Sequence, residues 1–580
     1  MPRLSNISST HWRLFFVFLA FVIIAASVAS RLFYLQVLRY KDLVTVAAKQ
    51  SGRAIDPPRR GTIYFQDKNE VLVAAAINRE YSTLIASPRL IADPANTASQ
   101  ISSLIEVPQE EIERKLSQEN DPYEVLERKI DDAVAAKIAG LGLKGLVVEK
   151  QSRRMYPGNE LGAHVLGFVK FDADEESGEY GIERAFNKSL AGETGILEGI
   201  TDPAEYIVTL GKRIVHPETN GKNIVLTIDP NIQKRAEEKL KAVMEKYTAE
   251  GGTVTVVEPS TGRILALAGA PSFDPNNYGS AKDLGVFMNR VVESNYELGS
   301  VMKPITMASA INEGVVRPGT TYDDTGEVKI GGYRIQNFDG KPHGVQTMTN
   351  VLEKSLNTGA VFVERKIGNP RFLEYLKLFG FGEKAGIDMP GEVAGNISNL
   401  AAGREIDFAT ASFGQGIAVT PLQMAMALSA IANGGNLMKP YVVEKIMDDS
   451  GGVVEFKPEV RRRVISTETA ETVTQMLVSV VENGFEHRAD VPGYFIAAKT
   501  GTAQIPDPNG GGYSKDDFIH SFMGYAPAFE PRFLIFIQLV KPRGVNFASN
   551  SLTSTFRELA NYIINYYGIL PDRPVLGEGR

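Results

Sequence analysis

Glu297-Leu298-Gly299-Ser300-Val301-Met302-Lys303-Pro304 is the stretch on which the reading of this 580-residue chain turns. Ser300 and Lys303 stand three residues apart, one helical turn, which puts a hydroxyl and an amine on the same face. A serine hydroxyl is a weak nucleophile until a base takes its proton. A lysine serves as that base only when burial or neighbouring cations bring its pKa down. Taken alone, the octapeptide fits a plain helix start equally well, with an N-cap serine, a surface lysine and Pro304 in the first turn.

Two further motifs follow in order and shift that balance. Ser355-Leu356-Asn357 supplies a second hydroxyl able to pass a proton and a carboxamide able to grip a peptide backbone. In isolation it reads as polar turn chemistry. Lys499-Thr500-Gly501-Thr502 supplies a cation for an anionic group, two hydroxyl donors, and a glycine that admits substrate or another backbone. The run Tyr494 to Ala498 reads as a strand leading into it, so Lys499 is expected at a sheet edge where an extended peptide could pair. Backbone N–H groups of Ser300 and Thr502 are the candidates for an oxyanion hole. S-x-x-K, S-x-N and K-T-G in this order mark serine enzymes that form acyl intermediates.

Competing chemistries are poorly represented. No cysteine is present, which excludes disulfides, thiolate metal sites and a cysteine nucleophile. His11, His164, His216, His343, His487 and His520 show no metal-binding spacing, so no metal or cofactor is expected. There is no G-x-S-x-G elbow and no P-loop. Gly380-Phe381-Gly382 with Gly386 misses the dinucleotide fingerprint and reads as a turn. A net charge of −7 without a long basic run argues against a nucleic-acid partner.

Working outward, residues 14–38 form an apolar span interrupted by Arg31, long enough to cross a bilayer with that arginine snorkelling to an interface. A cleaved signal peptide is the alternative, given the small residues Ala25 to Ser30. The apolar stretch resumes after Arg31, which favours an uncleaved anchor. Arg3 and Arg13 point to residues 1–13 as a cytoplasmic tail and to an extracytoplasmic remainder. Residues 40–220, with short strand-like runs and charged helical stretches such as 110–116 and 125–138, form an N-terminal non-catalytic module. The turn-rich segment 216–221 reads as a linker. Residues 225–575 form the catalytic domain. There Asn231 to Tyr247 has helical periodicity, Thr253 to Val257 and Ile264 to Ala268 read as a hairpin, and Phe533 to Val540 as a buried strand. Strands at both ends with helices between predict an α/β or α+β domain.

The chain resembles the class B penicillin-binding proteins. Besides the three motifs, the resemblance rests on Pro58-Arg59-Arg60-Gly61-Thr62-Ile63, Gly162 to Phe168, Tyr180-Gly181-Ile182-Glu183, Leu226-Thr227-Ile228-Asp229 and Gly414 to Gln423. Two departures stand out. Leu298 occupies a position where the family usually has Pro, and the R-G-x-I-x-D-R-N-G run is stretched over Gly61 to Glu70. The resemblance implies a serine β-lactamase-like sheet with helices, preceded by a mixed β-rich module and one transmembrane helix. It implies a peptidoglycan D,D-transpeptidase that β-lactams inhibit. Ser300 would attack the D-Ala-D-Ala donor, Lys303 would act as base, and Ser355 would pass a proton to the leaving amine. Lys499 would bind the donor carboxylate, and an amine of a second stem peptide would accept the acyl group. The motif texture is most similar to the septal branch, with the elongation branch as alternative. A water-using carboxypeptidase or β-lactamase, or a scaffold, are further alternatives. No glycosyltransferase module is recognisable, which implies a membrane glycan polymerase and other divisome proteins as partners.

Overall fold

The computed structural model describes residues 7–35, 54–56, 58–118, 121–172, 175–198, 213–216, 218–484, 487–507 and 510–574. They divide into two compact units.

The first unit comprises residues 1–61 and 191–222. Its helix Ile7–Phe33 begins within the expected tail. The segment Leu14–Phe33 is apolar along 20 residues and none of it is buried. At about 1.5 Å rise per residue it reaches the thickness of a bilayer's hydrocarbon layer. Phe15, Phe18, Phe21 and Ile24 are each more than half exposed, which water would penalise and lipid would not. Val37 and Leu38, the end of the expected span, lie outside the described residues. The strands Ala54–Asp56, Gly195–Glu198 and Arg213–His216 pair antiparallel. Thr219, in the expected linker, exchanges backbone hydrogen bonds with Glu193.

The second unit comprises residues 62–190 and 223–580. Among the described residues, one sheet has seven strands. Four of them, Ile63–Gln66, Leu72–Ala86, Glu124–Ile130 and Leu146–Met155, precede residue 223. The other three, Asn223–Leu226, Val443–Met447 and Val453–Glu455, follow it. Ile63 pairs in parallel with Ile224, and Asn223–Leu226 pairs antiparallel with Val443–Met447. The sheet therefore runs across the boundary expected near residue 225. Ile63, Phe65, Ile224 and Leu226 enter the same buried cluster as Val301, Met302 and Leu352.

One local expectation needs correction. The stretch 125–138 is not a single helix but the strand Glu124–Ile130 followed by the helix Asp132–Gly140. Leu126 and Ile130, both buried, stand four apart and so satisfy either period. Pairing with Ser82 to Ala86 decides for the strand.

The second sheet is wholly antiparallel, in the order Ile264–Ala270, Gly251–Val257, Phe533–Val540, Tyr513–Ala526, Ala497–Pro506. Phe533, Ile535, Ile537 and Leu539 join one apolar cluster, with the helices Pro230–Tyr247 and Thr553–Tyr567. Leu534 and Phe536 join the cluster on the other face. Burial on both faces explains an unbroken apolar run where a half-exposed strand would alternate. The last strand in the order, Ala497–Pro506, is an edge.

Glu364, on the helix Asn357–Ile367, is fully buried, and neither carboxylate oxygen has a hydrogen-bond partner among the described residues. Burial pushes its pKa up to about 7. Below pH 4.5 the group is protonated whether folded or unfolded and costs nothing. As pH rises toward 7 only the unfolded chain ionises, so stability is lost across that window and the loss is complete above it. Glu364→Gln is expected to be more stable than wild type at pH 8, by on the order of 2–3 kcal/mol, and near equal at pH 4. Denaturant titrations at the two pH values measure this, and a constant difference would refute it.

Candidate active site

Local geometry around Ser300 begins with glycine. Gly299 opens a 3-10 turn, Gly299–Met302, at φ +66, a conformation that costs most other residues energy. The turn runs directly into the helix Lys303–Asn312, with Pro304 in its first turn. Ser300 caps neither element: Leu298 stands at the entrance of the turn and Met302 at that of the helix, both without a side-chain cap. Lys303 is 1% exposed. The plain helix start, a capping serine and a surface lysine, is thereby excluded.

Lys303 gathers the first two motifs around its side-chain nitrogen. Its Nζ lies 2.9 Å from Ser300 Oγ, 2.5 Å from the Ser355 carbonyl oxygen, 3.2 Å from Ser355 Oγ and 2.9 Å from Asn357 Oδ1. Ser355 reaches this position only by adopting φ +55, a left-handed conformation uncommon for a residue with a side chain. Its carbonyl is thus turned toward Lys303 rather than into a helix. Asn357 opens the next helix and donates from Nδ2 to the Gln336 carbonyl at 2.9 Å.

The third motif lies inside the edge strand, which starts at Ala497 and not at the expected Tyr494. Side chains alternate along a strand. Thr500 and Thr502 line the cleft above Ser300, whereas Lys499, fully buried, shares the opposite parity with Gly501. Gly501 faces the nucleophile turn: a Cβ there would collide with the Leu298 carbonyl oxygen and sit 3.2 Å from Val301 N. Of the two uses open to this glycine, close approach of another backbone is the one realised. Thr502 Oγ1 accepts from the Ala548 N–H at 3.1 Å.

The cleft has a volume of about 1480 Å³ and contains Ser300, Ser355, Asn357, Thr500 and Thr502 in its wall. It also contains residues outside the three motifs and the family-like runs, among them Tyr333, Arg404, Asp407, Tyr513 and Phe547. Phe338 and Phe547 meet edge to face with centroids 5.4 Å apart, both half-exposed. Tyr513 Oη donates to Glu297 Oε2 at 2.9 Å, and burial raises the pKa of both groups. That bond ties the far end of the edge hairpin to Glu297, two residues before the nucleophile turn. Gly414 to Gln423 is visible in the sequence as a family-like run; the aromatic and charged wall carries no local signature. No cluster of metal-ligating side chains occurs among the described residues.

A serine and a buried lysine in hydrogen-bond contact, beside an edge strand carrying K-T-G, define a serine acyl-enzyme of the kind penicillin captures. Residues 252–561 match the penicillin-binding protein transpeptidase domain, and residues 55–226 match the penicillin-binding protein dimerisation domain. Stage V sporulation protein D of Bacillus subtilis is 33% identical over 549 residues, covering 93% of this chain and 83% of its own. The probable peptidoglycan D,D-transpeptidase PenA of Neisseria meningitidis is 30% identical over 573 residues, covering 98% and 95%. Among solved structures, penicillin-binding protein 3 of Mycobacterium tuberculosis in complex with aztreonam superposes with a TM-score of 0.68 at 27% identity, covering 90% of this chain and 99% of that one. The chain belongs to the class B penicillin-binding proteins.

Proposed function

We propose that this protein is a peptidoglycan D,D-transpeptidase that cross-links stem peptides and is inhibited by β-lactams. Ser300 Oγ forms a bond to the penultimate D-Ala carbonyl carbon of a donor peptide, and the C–N bond to the terminal D-Ala breaks. The hydroxyl proton passes to Lys303, and through Ser355 to the departing amine. An amine of a second stem peptide then takes the acyl group and frees Ser300. The N–H groups of Ser300 and Thr502 stabilise the negative oxygen formed in each step. Asn357 holds the donor backbone. Lys499, Thr500 and Thr502 secure the donor's terminal carboxylate, the two threonines from the cleft wall and the lysine from within the strand.

The observation that carries this reading is the 2.9 Å contact between Ser300 Oγ, in the cleft wall, and Nζ of the buried Lys303. A base must reach the proton it removes within about 2.6–3.2 Å. We further infer that the helix Ile7–Phe33 anchors the protein in the cell membrane with the catalytic portion outside. The setting we favour is the division septum, beside a membrane glycan polymerase and other divisome proteins. Motif texture supports the septal branch; depletion in cells tests it, since filamentation is expected and rounding would favour the elongation branch.

Purified full-length protein, supplied with pentapeptide-bearing glycan and an amine acceptor, tests the reaction. Mass spectrometry should find cross-linked product matched by released D-Ala. Release of D-Ala with only shortened, uncross-linked peptide would establish a carboxypeptidase instead.

A further inference from the structure

Asn357 is held at both ends of its carboxamide, by Lys303 on one side and the Gln336 carbonyl on the other. The residue after it, Thr358, is buried and opens onto a network that the reaction does not use. At its centre is Asp324, from the strand Thr321–Asp324, 1% exposed. Asp324 Oδ1 accepts from Thr358 Oγ1 at 2.7 Å and from Gly326 N at 3.0 Å. Asn337 Nδ2 donates to both carboxylate oxygens, at 3.0 and 2.8 Å. His343 Nδ1 lies 2.7 Å from Oδ2, and its Nε2 lies 3.2 Å from Asp339 Oδ2. Asn337 Oδ1 completes the circuit by accepting from Thr358 N at 3.2 Å.

Burial pushes the Asp324 carboxyl upward, but these donors outweigh it and hold the group below the usual carboxylate range. A buried charge is a poor source of stability, since apolar groups of similar volume often do as well. What a carboxylate with converging donors does well is fix geometry. The Ser355–Asn357 turn needs that. Its middle residue, Leu356, is buried and apolar and brings no polar group of its own. Ser355 sits at φ +55, and such a conformation persists only where the surroundings over-determine it. Three of the four oxygens around Lys303 Nζ named above come from this turn.

We propose that Asp324, acting through Thr358 and Asn337, is the positioning residue that holds the Ser355–Asn357 turn in the form that grips Lys303. The acylation rate then depends on a carboxylate that never meets substrate. This rests on the roles given above to Ser300 and Lys303.

The test uses full-length protein, a fluorescent penicillin and three variants. Asp324→Asn removes the charge at constant shape. Thr358→Val removes the linking hydroxyl at constant volume, and Thr358→Ser keeps it. Three quantities are read: the fraction of chains that can be acylated, the limiting acylation rate of that fraction, and the half-saturating penicillin concentration. Asp324→Asn and Thr358→Val are expected to lower the limiting rate about 10- to 100-fold, the scale on which small misplacements act. Half-saturation and the titratable fraction should change less than about twofold, and Thr358→Ser should stay within about threefold of wild type. A full limiting rate in the titratable fraction of Thr358→Val, whatever its melting temperature, would overturn the proposal and leave the network a structural one. Equal losses in Thr358→Ser and Thr358→Val would also overturn it. Failure of wild-type Ser300 to take the label would instead remove the catalytic reading beneath it.

Discussion

Ser300→Ala is expected to take up no penicillin label while keeping its fold. The loss is total because the acyl bond is made to the missing oxygen. Retention of the fold follows from the surroundings of Lys303. Its buried nitrogen loses one partner but keeps the Ser355 carbonyl, Ser355 Oγ and Asn357 Oδ1. No buried donor group is left without a partner, and removing one hydroxyl creates almost no cavity. A labelling gel with peptide mapping gives the chemical answer, and a melting curve gives the structural one. Label on another serine, or any residual covalent label on the variant, would overturn the assignment of the nucleophile.

Lys303→Met is expected to reduce the acylation rate by a factor on the order of 10² or more, the usual scale for removing a general base. Methionine preserves most of the side-chain volume, so the measurement reports on the amine and not on a hole. No histidine is among the residues bonded to Lys303 through the contacts above. This variant should also melt lower than Ser300→Ala. It strands the Ser355 carbonyl and Asn357 Oδ1, where the serine variant strands nothing. Near wild-type acylation would show that another group takes the proton.

The candidate site is legible in the sequence to the extent that its chemistry is local. Ser300 with Lys303, Ser355 with Asn357, and Lys499 with Thr502 each lie within one turn or one strand segment, so their spacing carries their geometry. Asp324 and Asn337 are different. Each is an ordinary polar residue whose importance arises when short strands fold back beside Asn357, and no spacing encodes that return. The same holds for Phe338 and Phe547, which meet across the cleft from remote parts of the chain. Among secondary elements, Phe533–Val540 and Pro230–Tyr247 are recoverable because one has an unbroken apolar run and the other a clear helical period. The strand Glu124–Ile130 is not, since its two buried residues fit both periods and only a partner strand decides. The boundary near residue 225 is legible as a change of texture, yet hydrogen bonding passes straight across it.

That last pairing has a consequence for the order in which the chain matures. Ile63–Gln66 emerges from the ribosome long before Asn223–Leu226, and that strand in turn waits for Val443–Met447 before its other side is covered. Contacts so distant in sequence carry a loop-closure cost and form slowly. Through that interval the early strands present bare edges, the feature on which partly folded chains stick to one another. A holding factor that shields residues 63–155 until residue 447 has emerged should raise the yield of active protein. Shortening the chain from its C-terminal end to any point before Val443 should leave the first-made strands soluble only with such help.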